Sequence, residues 1–148
     1  MALQVGDKAP GIKTPEFSLG ALKGQRAVVF FFPKADTPGC TKEACEFRDA
    51  SKTFAKKNAN IVGISPDKPA AHVKFAAKYS LPYTLVADPD HAIAEAYGVW
   101  KEKSMYGRKY MGIERTTFVI DEKGNIAHIF AKVKPAGHAA EVLEALAK

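Results

Sequence analysis

Blocks of apolar and polar residues alternate along this chain and predict alternating strands and helices. The segment Ala27–Phe32 is apolar throughout, which is typical of a strand that is buried on both faces of a sheet. Helical spacing of apolar residues predicts four helices, at about residues 39–57, 69–79 and 89–96 and after Gly137. Shorter apolar runs predict the other strands, at residues 61–65, 85–87, 116–120 and 126–133.

The remaining segments predict loops and turns. Residues 1–24 have no regular period because several prolines and glycines interrupt them. Residues 99–114 are polar and contain glycine, and we interpret them as a loop, whereas residues 121–125 predict a hairpin turn. The order βαβαβα followed by ββα predicts an α/β sheet with helices on both faces and an antiparallel edge, in one domain of residues 1–148. This order does not distinguish among the small doubly wound folds.

Composition bears on whether the protein is secreted, attached to a membrane or cytoplasmic. A hydrophobic content of 47% and a charged content of 26% are ordinary for a globular protein. The longest apolar run, Ala27–Phe32, is far too short to span a membrane. The N-terminal residues lack the pattern of a secretory signal, and two cysteines do not make a disulfide framework. We therefore expect a cytoplasmic protein without membrane attachment.

The net charge is +6, which raises the question of a nucleic-acid partner. However, the lysines are scattered, and the densest basic stretch, residues 101–109, is short and includes Glu102. No module that reads a groove or stacks bases is evident. We interpret the positive charge as a solvated surface and expect no nucleic-acid binding.

Cys40 lies where a helix is predicted to begin. Thr37 can act as the N-cap, Pro38 suits the first helical position, and Gly39 allows close approach of the backbone. Backbone N–H groups in the first turn have no partner inside the helix, and the helix dipole is positive there. Both effects favour a thiolate, the nucleophilic form of cysteine. The alternative is that Cys40 is a small buried hydrophobe.

Cys45, the second cysteine, follows five residues later. On an intact helix the two residues point about 140° apart and are offset by roughly 7.5 Å along the axis. A disulfide requires Cα atoms within about 7 Å and Cβ atoms that face each other. A bond between Cys40 and Cys45 therefore predicts unwinding of the first helical turns. The alternative is that Cys45 only packs on the helix.

These motifs resemble those of a known family. The run Pro33-x-x-x-Thr37-x-x-Cys40 resembles the active-site signature of the peroxiredoxins, and the longer run Phe32–Cys45 is similar to their bacterioferritin comigratory protein, or Q-type, branch. The segment Arg115–Asp121 resembles the family segment that carries the active-site arginine. Smaller similarities are Gly63-Ile64-Ser65-x-Asp67 and Tyr97-Gly98-Val99-Trp100.

The resemblance implies a thioredoxin-like fold, with a central mixed sheet flanked by helices, and a thiol-dependent peroxidase acting on hydrogen peroxide and organic hydroperoxides. It implies that Cys40 is the peroxidatic thiol and Cys45 the resolving thiol. Thr37 would contribute its hydroxyl and Arg115 its guanidinium, while Pro33 would shape and shield the pocket. Thioredoxin or a glutaredoxin-like protein would reduce the resulting intramolecular disulfide. No cofactor or metal is implied, and a monomer is expected.

Other interpretations remain open from the residues themselves. A thiol–disulfide exchange protein is disfavoured because such proteins use Cys-x-x-Cys, whereas four residues separate Cys40 and Cys45. A basic binding module would make both thiols incidental. Thr37 could serve only as a helix cap, and Arg115 could form a surface ion pair with the adjacent Glu114.

Overall fold

The computed structural model of the chain describes residues 3–22 and 24–147. This part of the chain contains seven strands, β1 (Arg26–Phe31), β2 (Ala59–Ser65), β3 (Thr84–Ala87), β4 (Trp100–Met105), β5 (Arg108–Ile113), β6 (Thr116–Ile120) and β7 (Ile126–Phe130). It also contains four α-helices, α1 (Pro38–Lys56), α2 (Pro69–Tyr79), α3 (Ala92–Ala96) and α4 (His138–Leu146). A short 3-10 helix, Leu19–Leu22, precedes β1.

Five of the strands form one mixed sheet in the order β3-β2-β1-β6-β7. β1 pairs in parallel with β2, and β2 pairs in parallel with β3. On its other edge β1 pairs antiparallel with β6, in the register Ala27↔Ile120, and β6 pairs antiparallel with β7. The predicted mixed sheet with an antiparallel edge is confirmed.

The central strand β1 contributes side chains to a core on each face of the sheet. Phe30 packs in one cluster with residues of α1, α2 and α4. Phe31, which points the other way, packs in a second cluster with α3 and the N-terminal segment. Both side chains are fully buried, so the predicted burial of this strand on both faces is confirmed. Because it is buried on both sides, β1 is a fixed base for the loop that follows it.

The interpretation of residues 99–114 as a loop is wrong. These residues form an antiparallel hairpin of β4 and β5, with Trp100 opposite Ile113 and a turn at Tyr106-Gly107. Most side chains on both faces of this hairpin are exposed. A strand without a buried face lacks the alternation of apolar and polar residues that reveals strands in a sequence.

Two predicted boundaries also shift. Helix α3 begins at Ala92 rather than near Pro89, because the Asp88 carboxylate accepts hydrogen bonds from the N–H groups of Ile93 and Ala94 and caps the helix from a distance. Strand β7 ends at Phe130 rather than residue 133. The chain beyond it turns through residues 131–137 to α4 and passes beside the site described next.

Candidate active site

The loop between β1 and α1, residues 32–37, is held by the neighbouring strand. The backbone N–H of Ala35 donates to Asp67 Oδ2 over 2.7 Å, and the Ser65 hydroxyl donates to the same oxygen over 2.7 Å. Ser65 and Asp67 belong to one of the smaller motifs noted in the sequence. That motif therefore fixes the loop that leads to Cys40. Pro33 is half-buried at the beginning of the loop, directly after Phe32.

Asp36 fixes the same loop from its outer side. Its carboxylate accepts hydrogen bonds from Lys78 Nζ at 3.0 Å and from the Tyr79 hydroxyl at 2.8 Å. The hydrogen bond from Lys78, followed by that from Tyr79, lowers the pKa of Asp36. The negative charge that the sequence places next to Thr37 is thus directed towards α2.

Cys40 lies in the first turn of α1, as predicted, and its side chain is buried. Nη2 of Arg115 donates to Cys40 Sγ over 3.2 Å. Burial agrees with the alternative of a small hydrophobe, but a guanidinium in contact with the sulfur does not. The sulfur thus has both a charged hydrogen-bond donor and a helix N-terminus beside it. This setting fits the hypothesis of a reactive cysteine better than that of a small buried hydrophobe.

Arg115 pairs with Glu43 and not with Glu114. Its Nη1 donates to Glu43 Oε1 over 2.7 Å, whereas Glu114 forms its ion pair with Lys101 at 3.1 Å. Burial lowers the pKa of Arg115, but the negative charges and hydrogen bonds of Glu43 and Cys40 raise it above its ordinary value. A guanidinium that donates to both groups is fixed in position, and the surface ion pair considered from the sequence is wrong.

Glu43 is part of the site although sequence reasoning did not assign it a role. Its side chain is 1% exposed, and its Oε2 atom has no hydrogen-bond partner. Burial raises the pKa of Glu43 to about 7, and Arg115 opposes that rise. Its place one turn after Cys40, at i+3 on the same helix, was the only signal that the sequence offered.

Thr37 occupies the N-cap position of α1 with an extended backbone, but its side chain makes no capping hydrogen bond. Its hydroxyl instead donates to the backbone oxygen of Lys34 over 2.8 Å. That bond uses the only hydrogen of the hydroxyl and leaves the oxygen lone pairs free to accept. The geometry supports a role as an acceptor for substrate and does not support the interpretation of Thr37 as a side-chain cap.

The absence of a side chain at Gly39 leaves space for the Arg115 guanidinium. A Cβ atom at Gly39 would lie 3.4 Å from Arg115 Nη2 and 3.3 Å from Cγ of Pro135. Pro135 belongs to the loop between β7 and α4, and that loop is bound to the site by the N–H of Val133, which donates to the Arg115 backbone oxygen over 2.9 Å. The C-terminal loop therefore packs over the first turn of α1.

Cys45 lies on the same continuous helix as Cys40 and is half-buried, and both thiols are free. Near it, the Tyr83 hydroxyl donates to the backbone oxygen of Ala44 over 2.6 Å. Arg48, one turn further along, donates from Nη1 to the Tyr79 backbone oxygen over 2.9 Å. These bonds hold the middle of α1 in place, so the helical form keeps the two sulfur atoms apart.

Lys103, on the hairpin that was predicted as a loop, also belongs to the surroundings of the site. It is half-buried in a mostly exposed strand, and its Cδ lies 3.3 Å from where a Cβ of Gly112 would be. Burial and the positive charge of Arg115 lower the pKa of Lys103, while Cys40 and Glu114 act in the opposite sense. The hairpin thus brings a second cation near Cys40.

Comparison with known proteins identifies the family. The model of the AhpC/TSA family matches residues 5–129. The chain is 49% identical to a putative peroxiredoxin Bcp of Coxiella burnetii, over 97% of this chain and 98% of that one. The chain belongs to the AhpC/TSA family of peroxiredoxins. The resemblance drawn from the Cys40 motif is confirmed, and so is the enzyme class, since peroxiredoxins are thiol-dependent peroxidases.

Solved structures support the fold of this peroxiredoxin. A cysteine-to-serine mutant of Xylella fastidiosa PrxQ superposes with a TM-score of 0.90 at 33% identity, over 99% of this chain and 97% of that one. The bacterioferritin comigratory protein of Xanthomonas campestris, described for its alkyl peroxide reduction activity, superposes with a TM-score of 0.84 at 42% identity, over 88% and 83% of the two chains. The thioredoxin-like fold is confirmed.

Within residues 3–22 and 24–147, no helix of this peroxiredoxin is long and apolar enough to cross a membrane.

Proposed function

We propose that Cys40 is the thiol that attacks peroxide in this enzyme. The observation that carries the proposal is the contact between Arg115 Nη2 and Cys40 Sγ at 3.2 Å, at the N-terminus of α1. A fixed positive charge therefore faces the sulfur before any substrate arrives. The same charge is in place to stabilise negative charge that develops on oxygen during the reaction.

In the first step the Cys40 thiolate attacks one peroxide oxygen, and the O–O bond breaks as the S–O bond forms. Cys40 is oxidised to a sulfenic acid, and the peroxide is reduced to water or an alcohol once the leaving oxygen takes up a proton. The Arg115 guanidinium and the free N–H groups of the first turn of α1 stabilise the leaving oxygen. Thr37 accepts a hydrogen bond from the peroxide, and Pro33 shields the pocket from water.

In the second step the Cys45 thiol attacks the sulfenic sulfur of Cys40, a disulfide forms, and water leaves. On the intact helix these sulfur atoms cannot meet, so the start of α1 must unwind. Unwinding breaks the hydrogen bond from Arg115 to Glu43 and the bond from Tyr83 to the Ala44 backbone. The two free thiols of the structure correspond to the reduced enzyme at the beginning of this cycle.

A dithiol protein, thioredoxin or a glutaredoxin-like protein, completes the cycle by reducing the disulfide between Cys40 and Cys45. A reducing compartment such as the cytoplasm supplies such proteins, and we propose that the enzyme works there as a monomer. Its substrates are hydrogen peroxide and organic hydroperoxides. The alkyl peroxide reduction activity of the Xanthomonas campestris relative supports the organic class.

The test is a thiol count after rapid mixing with one equivalent of hydrogen peroxide. The wild type should lose both thiols in one fast step, and the Cys45→Ser variant should accumulate a sulfenic acid that a dimedone-type reagent traps. The Cys40→Ser variant should keep its remaining thiol and turn over no peroxide. It is the matched control, because it also has a single cysteine on α1.

Two results would contradict the proposal. Thiol loss in the wild type that is no faster than for free cysteine would show that the site is not assembled for peroxide. Full turnover by Cys40→Ser would show that another group attacks the substrate.

A further inference from the structure

Large apolar side chains are exposed chiefly on the β4–β5 hairpin. Three of them lie on one face and at the tip of the hairpin and form what we call the hairpin surface, with exposed fractions of 56% for Met105, 99% for Tyr106 and 43% for Tyr110. Met111, at 49%, lies on the opposite face, where it pairs with Glu102. Val5 and Val73 are the others in the part of the chain that the structure describes, and they lie far from the hairpin in sequence. A cluster of exposed apolar side chains on a folded protein indicates a binding surface.

The tip of the hairpin holds a tyrosine where folding alone favours a different residue. Tyr106 and Gly107 form its two-residue turn with φ values of +52° and +78°. Turns of this kind favour Asn or Asp followed by Gly, because a bulky side chain is strained at positive φ. Since the Tyr106 ring is almost completely exposed, no intramolecular packing compensates for that strain. The ring is therefore available to a partner.

The hairpin surface lies on the active-site side of the enzyme. Strand β5 ends at Ile113, two residues before Arg115. Lys103 packs over Gly112 on the same face as Met105, and Lys101 of that face pairs at 3.1 Å with Glu114, which directly precedes Arg115. A partner bound to the hairpin surface is thus near the cysteine that it must reach.

The charge of the hairpin indicates what kind of partner fits. Residues 100–113 include four basic side chains and one acidic side chain. The whole chain carries a net charge of +6, so a second copy would be repelled from this surface. An acidic partner would be attracted to it. At the base of the hairpin, Trp100 stacks on His91, the residue before α3, at 4.0 Å between ring centroids, so this contact of the hairpin does not depend on α1.

We propose that the hairpin surface is the docking site for the dithiol protein that reduces this enzyme, a protein whose thiols lie in an apolar face with an acidic rim. The assignment rests on the proposed peroxidase cycle. One partner thiolate attacks the Cys40–Cys45 disulfide and forms a mixed disulfide. The second partner thiol then displaces it, so that the partner's two thiols become a disulfide and Cys40 and Cys45 become thiols.

The test measures reduction of the preformed disulfide by two reductants. Each protein is oxidised with one equivalent of hydrogen peroxide and then mixed with reduced thioredoxin or with dithiothreitol. The variant Tyr106→Asn removes the ring but suits the turn, Tyr110→Thr retains strand propensity, and Arg108→Glu reverses an exposed charge on the same face. The control variant Val73→Ala/Lys74→Glu makes similar changes on α2, where both side chains are exposed.

Combined, the three hairpin substitutions should slow reduction by thioredoxin by at least about tenfold and weaken its dependence on salt. Reduction by dithiothreitol should stay within about twofold of the wild type, because a small reductant needs no docking surface. The α2 control should behave as the wild type does with both reductants. Thiol loss with peroxide, measured first, tests the proposed cycle separately, since without it no disulfide forms.

Several outcomes would overturn the docking site. Unchanged reduction by thioredoxin would remove the hairpin from the interface, and equal slowing with dithiothreitol would show a general change in the protein. A wild-type disulfide that neither thioredoxin nor glutaredoxin reduces faster than dithiothreitol does would contradict the partner class. Dimer formation that the hairpin substitutions abolish would assign the surface to a second copy.

Discussion

At the scale of single residues, Arg115 connects the two halves of the site, because one guanidinium donates to Cys40 from Nη2 and to Glu43 from Nη1. Lysine has a single charged nitrogen and cannot reproduce this fork, which is the pair of hydrogen bonds donated by Nη1 and Nη2. We expect Arg115→Lys to slow the reaction of Cys40 with hydrogen peroxide by about 100-fold, as the loss of one fixed donor does elsewhere. Stopped-flow measurement of the thiol oxidation step provides the test.

The control for this change is Arg108→Lys, the same substitution at an exposed position on the hairpin. It should leave the oxidation step unchanged. If Arg115→Lys also reacted within about threefold of the wild type, the fork would be unnecessary and the charge alone would be sufficient.

Glu43 gives the stability of the enzyme a defined dependence on pH. Burial raises its pKa from 4.5 to about 7 in the folded state, so between these values the unfolded chain has released a proton that the folded chain keeps. Stability from this group is therefore fully present below pH 4.5 and is lost as pH rises towards 7. The loss should be on the order of 2–3 kcal/mol. Urea unfolding of wild type and Glu43→Gln, from pH 5 to pH 8, measures it.

The difference between the two proteins isolates Glu43 from other titrating groups. His72 and His138 have pKa values lowered mainly by burial, and they make stability fall as pH drops, which is the opposite direction. Both histidines remain in Glu43→Gln, so their effect cancels. The exposed Glu144→Gln is the matched control and should retain the slope of the wild type. A slope that is the same in Glu43→Gln would contradict the assignment.

The sequence predicted residues of this site only where a local pattern revealed them. Cys40 and Thr37 stand at a recognisable helix start, and Arg115 lies in a recognisable family segment. Glu43 was not assigned because its partner Arg115 lies 72 residues away, and a charge on an amphipathic helix usually faces water. Lys103 was missed for the same reason, since only the folded hairpin brings it near Cys40.

At the scale of elements, α1 must change when the enzyme is oxidised. We expect the segment Pro38–Cys45 to leave the helix in the disulfide form, because Cys40 and Cys45 lie on different sides of an intact helix. The helical signal in far-UV circular dichroism should fall by roughly a fifth, which is the share of this segment in the four helices.

The Cys45→Ser variant, oxidised to the sulfenic acid, is the control for that change. It contains an oxidised Cys40 but no disulfide, so its spectrum should match that of the reduced protein. Identical spectra for verified disulfide and dithiol forms of the wild type would show that the helix accommodates the bond without unwinding.

The elements themselves were predictable to different degrees. Strand β1 and helix α1 carry strong patterns, since one is buried on both faces and the other on one. The β4–β5 hairpin carries none, because only its base, at Trp100 and Ile113, packs against the core and its turn lacks the usual Asn-Gly pair. A hairpin that contributes few side chains to the core is therefore difficult to recognise from sequence.

Strand β2 contains a position where only glycine fits. A Cβ at Gly63 would lie 2.8 Å from Cδ2 of Leu85 and 2.8 Å from Cζ of Phe30, and both side chains are packed in the core. We expect Gly63→Ala to lower the free energy of unfolding by about 1–3 kcal/mol through overpacking, measured by urea denaturation. Gly11→Ala, with no atom near the added Cβ, should cost much less. Equal effects of the two changes would contradict the overpacking explanation.

At the scale of the whole molecule, redox state and folding stability are coupled by a thermodynamic cycle. The stability difference between the dithiol and disulfide forms equals the difference in the free energy of forming the disulfide in the folded and unfolded chains. In the unfolded chain Cys40 and Cys45 pair without opposition from a helix. In the folded chain pairing requires unwinding of α1 and loss of the contact between Arg115 and Cys40.

We therefore expect the disulfide form to be less stable than the dithiol form by about 3 kcal/mol, the size of effect seen when a buried charged pair is broken. The entropic gain of the cross-link largely cancels, because the bridged segment is unwound in both states.

The same difference makes the folded disulfide easier to reduce, by roughly 65 mV relative to the unfolded chain. Guanidinium unfolding of both forms, together with equilibration against dithiothreitol redox buffers with and without denaturant, measures the two quantities independently. A disulfide form that is as stable as the dithiol form, or more stable, would mean that α1 does not oppose the bond. Unwinding of α1 would then not contribute to the reduction potential of the Cys40–Cys45 disulfide.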